Sequence, residues 1–163
     1  VTASPTPIAD VLEKAAELEA LAVRCEAASG PDVCLAKDIF RAVHPDKVPH
    51  SVVLEGYGWH EDSAGWWLQT GEDQREPRKT IYPPNWLGSL DVAVTLVPKG
   101  CEWRVSDPAN ADGSKSIFGY PSRCHAYVAG GDREHNYGAT PAIALACAAL
   151  RSAASLAREK GNG

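Results

Sequence analysis

The 163 residues carry 16 Lys/Arg against 21 Asp/Glu, a net charge of -5, with 44% hydrophobic and 23% charged residues. That length suits one domain whose core folds without staples, and the acidic balance excludes general nucleic-acid binding. No apolar run reaches the ~18 residues a membrane span needs, so no membrane partner is expected.

The charge is uneven. Between Arg75 and Arg133 there are eight Lys/Arg and six Asp/Glu, a net of +2, which leaves -7 for the rest. The plainer reading is acidic helices flanking a neutral sheet; the sharper one is a mildly basic middle that meets an anionic ligand. The five cysteines (Cys25, Cys34, Cys101, Cys124 and Cys147) include no C-x-x-C pair. They are expected to stay reduced. The opening residues Val1 to Pro5 have neither a basic nor an apolar signal region. Both features lead to the expectation of a cytoplasmic protein.

In chain order, Leu12, Ala15, Ala16, Leu18, Ala22 and Val23 recur at three- and four-residue steps and predict a helix, ended by Gly30-Pro31. A second, shorter helix follows, with Leu35, Ile39, Phe40 and Val43 as its apolar face. Residues 44–88 are the least regular stretch. Val52-Val53-Leu54 reads as a short strand, and Trp59, Trp66 and Trp67 interleave with acids as in a hairpin. Ser89 is a candidate N-cap for a short helix carrying Leu90, Ala93, Val94 and Val97. Residues 101–105, 115–120 and 123–129 read as strands. In the last of these, Cys124, Ala126 and Val128 alternate with Arg123, His125 and Tyr127. Thr140-Pro141 caps a final helix whose first half, 143–150, is apolar on every face and must therefore be buried.

Three of these stretches stand together: residues 21–32 (LAVRCEAASGPD), 89–98 (SLDVAVTLVP) and 139–151 (ATPAIALACAALR). In this order and spacing they resemble the phage ABA sandwich domain, a small family from phages and prophages. The similarity covers roughly residues 15–43 and 83–155. It implies an α+β fold: a small, mostly antiparallel sheet sandwiched by α-helices, an αβα-type sandwich. On this basis residues 1–163 are one domain with an irregular Trp-, Gly- and Pro-rich insertion at about 44–88. The resemblance brings no catalytic residue.

Candidate chemistry is sparse. His44-Pro45-Asp46-Lys47 resembles the chaperone J-domain loop, but no third helix is signalled after it; a Pro-terminated helix is the plainer reading. His60-Glu61-Asp62 is no H-E-x-x-H. Nothing in the spacing of Cys101, Cys124 and His125 demands a zinc site, and Ser89 lacks a nucleophile elbow. No metal, cofactor or catalytic residue is assigned.

What remains is aromatic and basic residues in the middle of the chain. Trp66, Trp67, Arg78, Lys79, Trp86, Trp103, Arg104, Arg123, His125 and Tyr127 are the candidate ligand-binding set. Aromatic faces beside cations suit an anionic, nucleotide-like small molecule. Tryptophans plugging a core beneath solvated cations would have the same composition. The expectation is a phage-encoded, non-enzymatic accessory protein that binds or sequesters a nucleotide-type host immune signal. The alternative is a protein-interaction module or inhibitor docking on a host or phage protein. A hydrolase acting through His125 is a third, weaker reading. A homo-oligomer suits either of the first two, because a small sheet leaves edges a second copy can cover.

Overall fold

The computed structural model describes residues 7–49, 58–62, 65–69, 79–106, 124–131 and 136–161. Its elements are α1 (Pro7–Ala27), α2 (Val33–Val43), β1 (Gly58–Glu61), β2 (Trp66–Gln69), β3 (Lys79–Ile81), α3 (Leu90–Ala93), β4 (Trp103–Ser106), β5 (Cys124–Val128), β6 (Asn136–Gly138) and α4 (Pro141–Gly161). The fold is α+β, and every described strand pair is antiparallel. The strands form two three-stranded sheets, β1-β2-β3 and β4-β5-β6. The chain divides into two compact units, Val1–Asp32 with Asn85–Gly163, and Val33–Pro84. The second unit thus begins at α2, ahead of the insertion boundary read from the sequence. Among the described residues no helix is long and apolar enough to cross a membrane.

The first unit is organised by α4. From Ala142 to Leu150 every residue is buried, as a helix apolar all round requires. It packs against β4, β5 and β6, and also against α1 and α3. The Thr140 hydroxyl accepts the Ile143 amide at 3.2 Å, the N-cap expected of it. Helix α1 meets α4 through Ala15, Leu18, Leu21, Ala22 and Cys25. The sequence pattern also set Leu12 and Val23 inward, but they are 47% and 52% exposed. The buried stripe follows the small residues that let two helices approach closely, and Leu12 and Val23 fall on its flank. Ser89 occupies the N-cap of α3 but its side chain makes no capping bond. That helix lasts one turn before tightening into a 3-10 turn over Val94–Leu96.

Sheet β4-β5-β6 has a definite register. Val105 faces Ala126 and Trp103 faces Val128 on one side, while Cys124 faces Gly138 and Ala126 faces Asn136 on the other. Cys124, Ala126 and Val128 are buried and alternate with half-buried His125 and Tyr127. The small apolar side of β5 therefore packs against α4, as the alternation predicts. Gly138 is required where β6 touches α4. A Cβ there would lie 2.9 Å from the Ala144 Cα and from the Ile143 carbonyl carbon, and closer still to the Ala144 nitrogen. Strand β6 carries no pattern visible in the sequence, and the strands read at 52–54 and 115–120 lie outside the described residues.

In the second unit, α2 buries Leu35, Ala36, Ile39, Phe40 and Ala42. The Pro45–Lys47 segment of the His-Pro-Asp motif is a 3-10 turn. Strands β1 and β2 form the expected hairpin, with Trp59 opposite Leu68 and His60 opposite Trp67. Strand β3 adds Ile81 opposite Trp66.

Candidate functional site

The strand register decides which candidate side chains meet. In β4-β5-β6, directly opposed residues share a face. Arg104 is opposite Tyr127, Ser106 is opposite His125, and His125 is opposite Tyr137. Since β5 turns Cys124, Ala126 and Val128 toward α4, these five residues occupy the other face of the sheet. Arg104 is exposed, Tyr137 is 42% exposed, and His125 and Tyr127 are half-buried. The His125 and Tyr137 rings lie 6.4 Å apart at a 56° tilt. Three aromatic rings, a guanidinium and a hydroxyl thus line one side of a three-stranded sheet.

The remaining candidates are distributed elsewhere. Trp103 is on the helix-facing side of β4, opposite Val128, and is 40% exposed. Trp86 is a core residue, 1% exposed, whose indole donates to the Thr95 hydroxyl at 3.0 Å. Arg123 and Arg78 lie outside the described residues. Trp66, Trp67 and Lys79 belong to the second unit.

There Trp66 is buried against Phe40, with ring centroids 5.6 Å apart, and the Arg41 guanidinium lies 5.5 Å over its ring. Arg41 also pairs with Glu61, to which the Lys37 ammonium comes within 3.0 Å. Burial pushes the Glu61 carboxyl up. The Lys37 hydrogen bond and the Arg41 charge outweigh it and hold the group below its ordinary value. Trp67 stacks on His60 at 4.2 Å and 14°. The His60 Nε2 is buried and finds no hydrogen-bond partner among the described residues. In the His-Pro-Asp turn, burial and then Lys47 hold the His44 imidazole below its ordinary value, against the pull of Asp46.

No family model, curated protein or solved structure matches this chain. Its sites are read from their own geometry.

The most developed polar cluster in the first unit is not among the candidates read from the sequence. The Arg151 side chain on α4 is 3% exposed. Its Nε donates to Glu19 Oε1 at 3.1 Å and its Nη2 to Glu26 Oε2 at 2.7 Å. Its Nη1 donates to Asn136 Oδ1 at 2.8 Å and to the Cys147 sulfur at 3.2 Å. Cys147 in turn donates to the Ala22 carbonyl at 3.4 Å. One guanidinium thereby ties α1, α4 and β6 together. Burial pulls the Arg151 pKa down, but the bonds from Glu26 and Glu19 more than reverse it. Burial also pushes the nearby Cys25 thiol up to about 12, so it is an inert core group. All five cysteines are free. Among the described residues no group of three or more His, Cys, Asp or Glu is placed to hold a metal ion.

The signal for Arg151 was present. A charged residue directly follows a run apolar on every face, and such a residue must be paired if it is buried. Glu19 and Glu26, seven residues apart, share one face of α1. Tyr137 was missed because its strand is three residues long.

Proposed function

We propose that this protein is a non-enzymatic binding protein that holds an anionic, nucleotide-type small molecule on the face of β4-β5-β6 turned away from α4. The observation that carries this is the shared face of Arg104, His125, Tyr127 and Tyr137. Aromatic rings stack on a base whatever its identity, and a guanidinium beside them answers a phosphate. The Arg151 cluster is saturated by its own partners and serves the fold. The resemblance to the phage ABA sandwich domain adds the biological setting: a phage accessory protein that sequesters a host signal in the host cytoplasm. Free thiols suit that reducing compartment.

The test is a thermal shift of the purified protein against mononucleotides, cyclic oligonucleotides and ADP-ribose derivatives. Ligand at ~100 times its dissociation constant adds about 2.7 kcal/mol, a rise of roughly 5–10 °C for a protein of this size. The recovered ligand is expected to be chemically unaltered; a converted product would reject the non-enzymatic reading, and a flat panel would reject the ligand class.

A second reading, docking on a host or phage protein, is favoured by one flank of α1, where Ile8, Leu12 and Val23 are 47%, 47% and 52% exposed. It predicts a stoichiometric protein complex that Leu12→Asp with Val23→Asp abolishes. A homo-oligomer would be the special case in which the partner is a second copy.

A further inference from the structure

Resting on the nucleotide reading above, we infer that the sheet face takes two linked bases rather than one, so that its ligand is a dinucleotide with a single bridging phosphodiester. The register places the face's side chains in two rows across the strands. Arg104 and Tyr127 form one row, and Ser106, His125 and Tyr137 the other. Successive rows on one face of a strand are two residues, about 6.8 Å, apart. Tyr127 and Tyr137 are diagonal neighbours on adjacent strands, roughly 7–8 Å apart. Bases stacked on each other are separated by about 3.4 Å. Two bases seated on Tyr127 and Tyr137 are thus too far apart to stack together. Each has its own ring, as on the sheet platforms that splay two or three bases of a single strand. The 56° tilt between His125 and Tyr137 keeps those two rings from acting as one flat surface. His125 then flanks the second base while Tyr137 supports it.

Charge limits the length. Arg104 is the one cation this face shows among the described residues, and it borders the Tyr127 row. One bridging phosphate is answered. Among the described residues no second cation on this face would answer a further phosphate, and the chain's net charge is -5. Affinity should therefore rise from one nucleotide to two and then level off.

The experiment is isothermal titration calorimetry of the full chain with AMP, the dinucleotide ApA and the tetranucleotide ApApApA, repeated with the G, C and U series. In at least one series the dinucleotide is expected to bind about tenfold or more tighter than its mononucleotide, the gain of one further stacked base. The tetranucleotide should fall within about threefold of the dinucleotide. Tyr137→Ala should abolish the gain of the dinucleotide over the mononucleotide, while Tyr137→Phe keeps it. Equal affinity for one and two nucleotides would overturn this inference and leave the nucleotide reading standing. So would a Tyr137→Ala protein that binds the dinucleotide as well as the parent. Affinity that climbs steeply with length would overturn it in favour of general single-strand binding. No binding in any series would remove the nucleotide reading itself.

Discussion

Arg151 illustrates how one side chain can organise a unit. A guanidinium has five donors in a fixed fork, and four of its contacts here reach three separate elements. Two carboxylates converge on the Arg151 guanidinium, and the Arg158 guanidinium also lies 3.8 Å from Glu19 Oε2. Removing Arg151 takes this donor away from Glu19, Glu26 and Asn136. The two glutamates are 32% and 26% exposed, so water relieves part of that loss. Arg151→Met is expected to lower the unfolding free energy by about 2–3 kcal/mol, below the full cost of orphaning a deeply buried ion. Urea unfolding with an unchanged m-value would measure it. Adding Glu19→Gln and Glu26→Gln to that variant should recover part of the loss, because the orphaned charges cause it. If the triple variant is no more stable than Arg151→Met, the cost lies in packing instead.

At the scale of elements, the legible parts are those whose pattern repeats. Helix α4 announces itself through Thr140-Pro141 and an unbroken apolar run, and β5 through five residues of strict alternation. The elements that escaped are β3 and β6, three residues each, too short to show a period. Strand β6 is also written in residues that argue against a strand: Asn136 is there for hydrogen bonding, and Gly138 for contact with α4. Three of the four residues of the proposed site were therefore readable. Arg104, His125 and Tyr127 follow from alternation and composition, whereas Tyr137 depends on a pairing only the fold reveals. The tryptophans misled because size and polarity do not say which ring is core: Trp86 and Trp66 are buried, while Trp103 is not. The contact at Gly138 gives this scale its prediction. A methyl group there meets backbone atoms of Ile143 and Ala144, which cannot rotate aside. Gly138→Ala should destabilise by about 1–3 kcal/mol, as overpacking does, although alanine is the better residue for restricting the unfolded chain. The same denaturation experiment reads it. A neutral or stabilising result would mean that β6 shifts away from α4 at no cost, and affinity at Tyr137 would then be expected to fall without any loss of stability.

For the molecule as a whole, the division into two units bears on where function is housed. The first unit contains α1, α4, sheet β4-β5-β6, the Arg151 cluster and every residue of the proposed face. Its core is supplied from within: α4 is covered by α1, α3 and the sheet, all of the same unit. The second unit has its own buried set around Ile39, Phe40 and Trp66 and its own ion cluster at Glu61. A core that is complete within a unit should fold as one cooperative block. Replacing residues 33–84 with a short Gly-Ser linker is therefore expected to leave a protein that unfolds in a single calorimetric transition, because closing a flexible loop adds only a modest entropic cost. It should also retain the dinucleotide affinity of the full chain, since Arg104, His125, Tyr127 and Tyr137 all remain. A deletion chain that keeps its far-UV but loses its near-UV circular dichroism would show that the first unit's packing depends on the second. A chain that folds but no longer binds would overturn the placement of the site on the first unit.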